Sequence, residues 1–333
     1  MSEKVSLYEV FYRFNRDPFP VTVEPDLYFP LKNHNEALLS IYEQINKNQA
    51  TAVVLGEAGI GKTMLFRKML SSLSEHPESY NIIYLEDVGI DWTTRRFFTE
   101  ILNASGFTVD SVSSLPHTVE QWLKVLVENK EQTNVLLIDN SQHLILNGQL
   151  ELLSYINTFE VNGRKIFNTV LFANASWENT IQNVEDFKKQ ISAFWNLTPI
   201  EREEFPSFIQ HRLDLAGYLP DLGPNFTSES MLVMYAFTQG HPGQTVVLSR
   251  NILNYCAENE IREIKPEIVI EIIEKTMSIT SEVRARIAAI SIDDTKKRLK
   301  REDIENLSRE ELEKQVREMK AAELLLKDFQ DNI

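Results

Sequence analysis

Cysteine is almost missing from the chain: Cys256 is alone among 333 residues. That excludes an internal disulfide and fits a reducing cytoplasm, and its setting in the helical-looking NILNYCAENE makes core packing its expected role. The six histidines, His34, His76, His117, His143, His211 and His241, show no spacing with the cysteine that would hold a metal. No segment is apolar for the length that a bilayer demands, and the start, MSEKVSLYEVFYRF, has no run suited to a signal peptide. A soluble chain without membrane insertion is therefore expected. Basic residues are also short, 34 against 49 acidic ones, for a net charge of -15. A surface of that sign repels nucleic-acid phosphates and leaves only a local basic patch for them. There is no internal repeat, no low-complexity tract and, after about residue 200, no convincing strand pattern.

With 43% hydrophobic residues the chain can bury the cores of two ordinary domains. Residues 1–32 mix aromatic side chains with Pro18, Pro20, Pro25 and Pro30, which predicts an extended arm pinned to a larger body by its rings. The segment NHNEALLSIYEQINK has helical spacing, with Asn33 or Asn35 placed to cap it. Apolar runs TAVVL, NIIYLED, VLLIDN and FNTVLFANAS, with helical segments between them, give the alternation of an α/β domain with a parallel sheet over 33–198. From 199 to 279 the pattern is helical, with a capping-type start at Thr227 and a Pro242-Gly243 interruption. A charged helical tail occupies 280–333. There Ser308 and Glu311 have capping-box spacing and Leu312, Val316, Met319 and Leu326 recur on one face, which calls for a packing partner.

The segment GEAGIGKT, Gly56, Glu57, Ala58, Gly59, Ile60, Gly61, Lys62 and Thr63, followed by Met64, matches G-x-x-x-x-G-K-[ST] between a strand and a helix. The glycines let backbone N–H groups turn toward phosphates, the helix offers its positive end, Lys62 reaches the β and γ phosphates, and the Thr63 hydroxyl is a magnesium ligand. ATP or ADP with Mg2+ is the expected cofactor. Asp139 ends the apolar run VLLI and is the second magnesium residue, directly or through water. Asn174, after the next strand, is either a turn former or a polar amide near the γ phosphate.

The order of these pieces resembles the ExeA-type AAA+ ATPases, the general secretion pathway protein A family. The arm, the H-x-E-A-L helix of His34, Glu36, Ala37 and Leu38, the phosphate loop and LLIDNSQHL carry the resemblance, which runs over roughly 5–275. It implies a P-loop AAA+ sheet with helices on both faces, followed by a helical lid. It also implies the sensor role for Asn174 and an ATP-binding homo-oligomer, ring or arc, in cell-envelope machinery. A protein partner in an envelope or secretion complex follows, as does a cytoplasmic site open to recruitment to the inner face of the membrane.

The chain departs from that family where hydrolysis is carried. Relatives read D-E-A-Q where this chain has Asp139, Asn140, Ser141 and Gln142, so an amide holds the place of the water-activating glutamate. Gln190 aligns with an arginine finger, and Gly243 and Gln244 follow Pro242 where relatives often carry arginine. Lys188, Lys189 and Arg250 are the candidate substitutes. Loss of a base costs about 10² to 10⁴ in rate and loss of a finger about 10³ to 10⁵, so binding with slow hydrolysis is expected. Two other readings stay open. One is a DNA-binding regulator of the transposition type, using the run KKRLKR from Lys296 to Arg301; the other is a structural adaptor with trapped nucleotide.

Overall fold

Apolar runs five to eight residues long, bounded by polar turns, pay for burial on both faces only inside a parallel sheet, and the chain builds one. The computed structural model describes residues 5–107, 115–128, 132–161 and 163–277. By its internal contacts the chain divides into two units, Thr22–Thr198 and a second made of the residues up to Val21 with those from Pro199 onward. The expected charged tail and its basic run lie outside the described residues.

In the first unit, five strands, β1 (Thr51–Gly56), β2 (Tyr80–Leu85), β3 (Thr133–Ile138), β6 (Phe167–Asn174) and β7 (Ala193–Asn196), form one sheet in the order β2-β3-β6-β1-β7. Every pair in it is parallel. Alternate residues feed two cores: Val53, Leu55, Leu136, Ile138 and Leu171 on one face, Ala52, Val54, Val135, Leu137 and Phe172 on the other. Helices α2 (Lys32–Asn46) and α3 (Lys62–Ser74) supply Ile41, Leu65, Phe66 and Met69 to the second core. The first core is covered by α4 (Thr94–Ala104), α5 (Leu115–Glu128), α6 (Gln149–Asn157) and the short α7 (Glu178–Ile181) and α8 (Glu185–Lys188). A two-residue hairpin, β4 (Glu160–Val161) with β5 (Arg164–Lys165), precedes β6.

Three local expectations are corrected. Neither Asn33 nor Asn35 caps α2; its N-cap is Leu31, and the Asn33 side chain instead accepts from the Thr198 N–H at 3.0 Å. Strand β7 carries no strand pattern of its own, because AFWN is four residues long and its place is set by pairing with β1. The arm is not extended throughout. It contains α1 (Leu7–Tyr12), started by the Glu9 carboxylate, which accepts from both the Ser6 N–H (2.7 Å) and the Ser6 hydroxyl (2.6 Å).

In the second unit, α1 packs on α11 (Pro242–Glu258), α11 packs with α10 (Ser228–Thr238) and α12 (Pro266–Thr276), and α9 (Phe205–Leu215) packs on α10. Thr227 caps α10 by accepting from the Ser230 N–H. Pro242 opens α11, where its missing N–H costs nothing. One two-residue parallel bridge, β8 (Asn225–Phe226) with β9 (Glu263–Ile264), is the strand pairing that helical periodicity hid. Tyr8, Tyr12 and Phe19 of the arm are buried here, as is Cys256, whose thiol burial pushes up to about 11.

Candidate functional site

Parallel strands deliver their C-terminal residues to one edge of a sheet, and the candidate residues collect there. Gly56 ends β1 opposite Asn174, the last residue of β6, while Asp139 directly follows β3. The loop from Gly56 turns into α3, with Gly59 at φ 79° and Gly61 at φ 108°, left-handed values that side chains resist. Glu57, Ala58 and Gly59 are exposed on the loop, Ile60 is anchored in the core, and Met64 is half-buried in the first turn of α3.

Lys62 is buried, and its ammonium donates to the carbonyl oxygens of Gly56 and Glu57, each at 2.8 Å, so it lies along the loop that precedes it. The Thr63 hydroxyl donates to Asp139 Oδ2 at 2.7 Å. Asp139 Oδ1 accepts from the Asn140 N–H at 2.9 Å. Burial lowers Lys62 below the usual lysine value, partly offset by Asp139 and Glu57. Burial likewise raises Asp139 above the usual carboxylate range, against the pull of the Thr63 hydroxyl, the Asn140 N–H and Lys62. Both charges are held where water stabilises them poorly, so phosphate oxygens and a divalent cation would relieve them. A hydroxyl and a carboxylate in contact beside a lysine form an oxygen donor set fit for magnesium and a phosphate chain.

Asn140 directly follows Asp139, at φ 53° and ψ 35°. Asparagine tolerates this left-handed conformation better than glutamate does. Its Oδ1 accepts from Gln142 Nε2 at 3.4 Å, and Gln142 Oε1 accepts from the Asn174 N–H at 3.2 Å. Gln142, to which the motif alone assigns no role, thus bridges the residues after β3 and the end of β6. Its one signal is its position in D-N-S-Q. His143 donates through Nδ1 to the Val88 carbonyl at 2.8 Å and ties down the loop after β2.

The candidate finger substitutes have other surroundings within their own chain. Lys188 is exposed at the end of α8 and makes no hydrogen bond or ion pair with the loop residues; Lys189 faces Asp186 at 3.9 Å. Gln190 donates to the Ser154 carbonyl and hydroxyl of α6, at 3.1 and 3.0 Å, a packing contact. Arg250, the third candidate cation, pairs within the second unit with Asp17 at 3.3 Å and donates to the Phe19 carbonyl. Among the described residues no group of three or more His, Cys, Asp or Glu side chains could hold a metal ion, and no helix is long and apolar enough to cross a membrane.

Residues 45–181 match the AAA domain family. The general secretion pathway protein A of Aeromonas hydrophila is 23% identical over 240 residues, which is 71% of this chain. The chain spans only 42% of that relative's length. Among solved structures, the ORC2 protein of Aeropyrum pernix has a similar fold, with TM-score 0.60 at 13% identity over 85% of this chain and 79% of its own. Cdc6p from Pyrobaculum aerophilum gives TM-score 0.60 at 13% identity, over 84% and 77%. Residues 45–181 thus match an AAA domain within a parallel sheet that has helices on both faces, and the chain is similar to that secretion-pathway relative.

Proposed function

We propose that the chain binds ATP with magnesium at Gly56–Thr63 and Asp139, hydrolyses it slowly, and uses the bound nucleotide to assemble copies of itself on a protein machine of the cell envelope. The observation that carries the reading is the Thr63–Asp139 contact of 2.7 Å beside the phosphate loop. Thr63 and Asp139 would hold the metal, which when bound neutralises phosphate charge. Lys62 would turn from the loop carbonyls to the phosphates, exchanging two neutral acceptors for charged ones. Slow turnover rests on Asn140, whose amide cannot take a proton from water, and on Gln190, which is engaged with Ser154. A nucleotide that favours one conformation over another drives assembly without rapid turnover. The envelope setting, with work at the cytoplasmic face, rests on the named relative.

Titration with a fluorescent ATP analogue, with magnesium and with chelator, tests the binding. Lys62→Ala should weaken it by about a hundredfold, the worth of charge-assisted contacts to phosphate; unchanged affinity would sink the assignment. Light scattering in ADP, ATP and a non-hydrolysable analogue tests assembly, where equal particle mass in all three counts against it.

A further inference from the structure

His34 is the third residue of α2 and is buried, with 3% of its surface exposed. It lies behind the phosphate loop. Its Nε2 stands 2.9 Å from the Ile60 carbonyl oxygen. A carbonyl only accepts, so Nε2 carries the hydrogen and donates it. The Ile60–Gly61 peptide is trans, and in a planar trans peptide the C=O and the N–H point in opposite directions. A carbonyl held toward His34 therefore turns the Gly61 N–H away from that ring.

That N–H matters because Gly61 is the N-cap of α3, where backbone donors have no helical partner and collect anions. The peptide also needs holding. Glycines with positive φ, Gly59 and Gly61, flank Ile60, and glycine lets a neighbouring peptide plane rotate at little cost. The ring closes on the loop as well: a Cβ on Gly61 would sit 3.1 Å from His34 Nε2.

We propose that His34 is a positioning residue for phosphate binding: its bond to the Ile60 carbonyl aims the Gly61 N–H at the nucleotide. The inference rests on the reading that Gly56–Thr63 cradles a nucleotide, and His34 itself touches no phosphate.

The test compares the full-length wild type with His34→Leu, which removes the donor, His34→Gln, which returns an N–H near Nε2, and His34→Asn, polar but too short to reach. Affinity for fluorescent ADP and ATP analogues with magnesium is read beside thermal stability without nucleotide. His34→Leu and His34→Asn should bind about tenfold to a hundredfold more weakly, the effect of one misdirected N–H on a charged acceptor, and His34→Gln should bind like the wild type. Affinity in the Leu and Asn variants equal to wild type overturns the proposal. So does a folded Gln variant as weak as the others, since ring packing would then be what counts. If the Leu variant does not fold, the Gln and Asn pair decides by the same criteria. A wild type that binds no nucleotide defeats the parent reading and takes this one with it, whereas a loss confined to the His34 variants bears on His34 alone.

Discussion

The Thr63 hydroxyl and Asp139 Oδ2, 76 positions apart in sequence, meet at 2.7 Å where the first turn of α3 faces the end of β3. The contact holds together two prospective metal ligands and leaves a buried carboxylate whose charge is only partly compensated. Function and stability pull in opposite directions at such a residue.

Asp139→Asn should separate them. Burial raises the Asp139 pKa above its unfolded value, so between the two values the folded state holds more protons than the unfolded one. Stability contributed by this group is then present at low pH and lost as pH rises through the folded pKa. The variant lacks that loss, so its melting temperature relative to wild type, without nucleotide, should climb as pH rises above about 4, the unfolded carboxylate value. Magnesium-dependent nucleotide affinity should fall by roughly 10- to 100-fold. Calorimetry across pH and titration with and without magnesium check the two halves, and a variant with wild-type affinity would remove Asp139 from the site.

Asn140→Glu should raise phosphate release under steady-state conditions, by up to the 10² to 10⁴ that a general base contributes. The backbone at φ 53° resists glutamate, so a loss of about 1 kcal/mol in stability should accompany the gain. Asn140→Gly is the control: it relieves the backbone and supplies no base, so it should match wild type in rate. Equal rates in all three proteins would show that the position does not limit turnover.

The sheet and the phosphate loop were legible because their signals are local. TAVVL and VLLI are continuous apolar runs since both faces of their strands are buried, and the glycine pattern of the loop is set by its own backbone. Long-range partners were not legible. Nothing in the residues around Arg250 announces Asp17, 233 positions away, and nothing around His34 announces Ile60. The arm misled for another reason: its prolines suggested extension, while the S-x-x-E signal of Ser6 and Glu9 that starts α1 stood in plain view. Gln142 was visible in its motif, but its role appears only when Asn174 comes beside it.

Gly240→Ala should destabilise the helical unit. Gly240 has φ 74°, and a Cβ there would lie 2.3 Å from the Ile200 carbonyl oxygen, which is backbone and cannot rotate aside. The same segment is fixed from the other side by the Ile200 N–H, which donates to the Gly240 carbonyl at 2.9 Å. Left-handed strain and the forced shift together should cost about 2 kcal/mol or more. Denaturant unfolding gives the value, and a neutral substitution would mean that the Ile200 segment yields freely.

Asp17 organises the arm. Its Oδ1 accepts from the Tyr8 hydroxyl at 2.6 Å and from the Phe19 N–H at 2.7 Å, while Oδ2 faces Arg250 at 3.3 Å. Two neutral donors with one carboxylate make Asp17→Ala a loss of about 1 to 3 kcal/mol. The ion pair should supply the smaller part, because Arg250 and Asp17 keep 21% and 27% of their side-chain surface exposed and solvent screens such pairs to about 1 kcal/mol or less. A double-mutant cycle between Asp17→Asn and Arg250→Met isolates that share. A coupling near zero would assign the anchoring of the arm to the Tyr8 and Phe19 hydrogen bonds, and one above about 3 kcal/mol would require a desolvated pair, contrary to the exposure seen here.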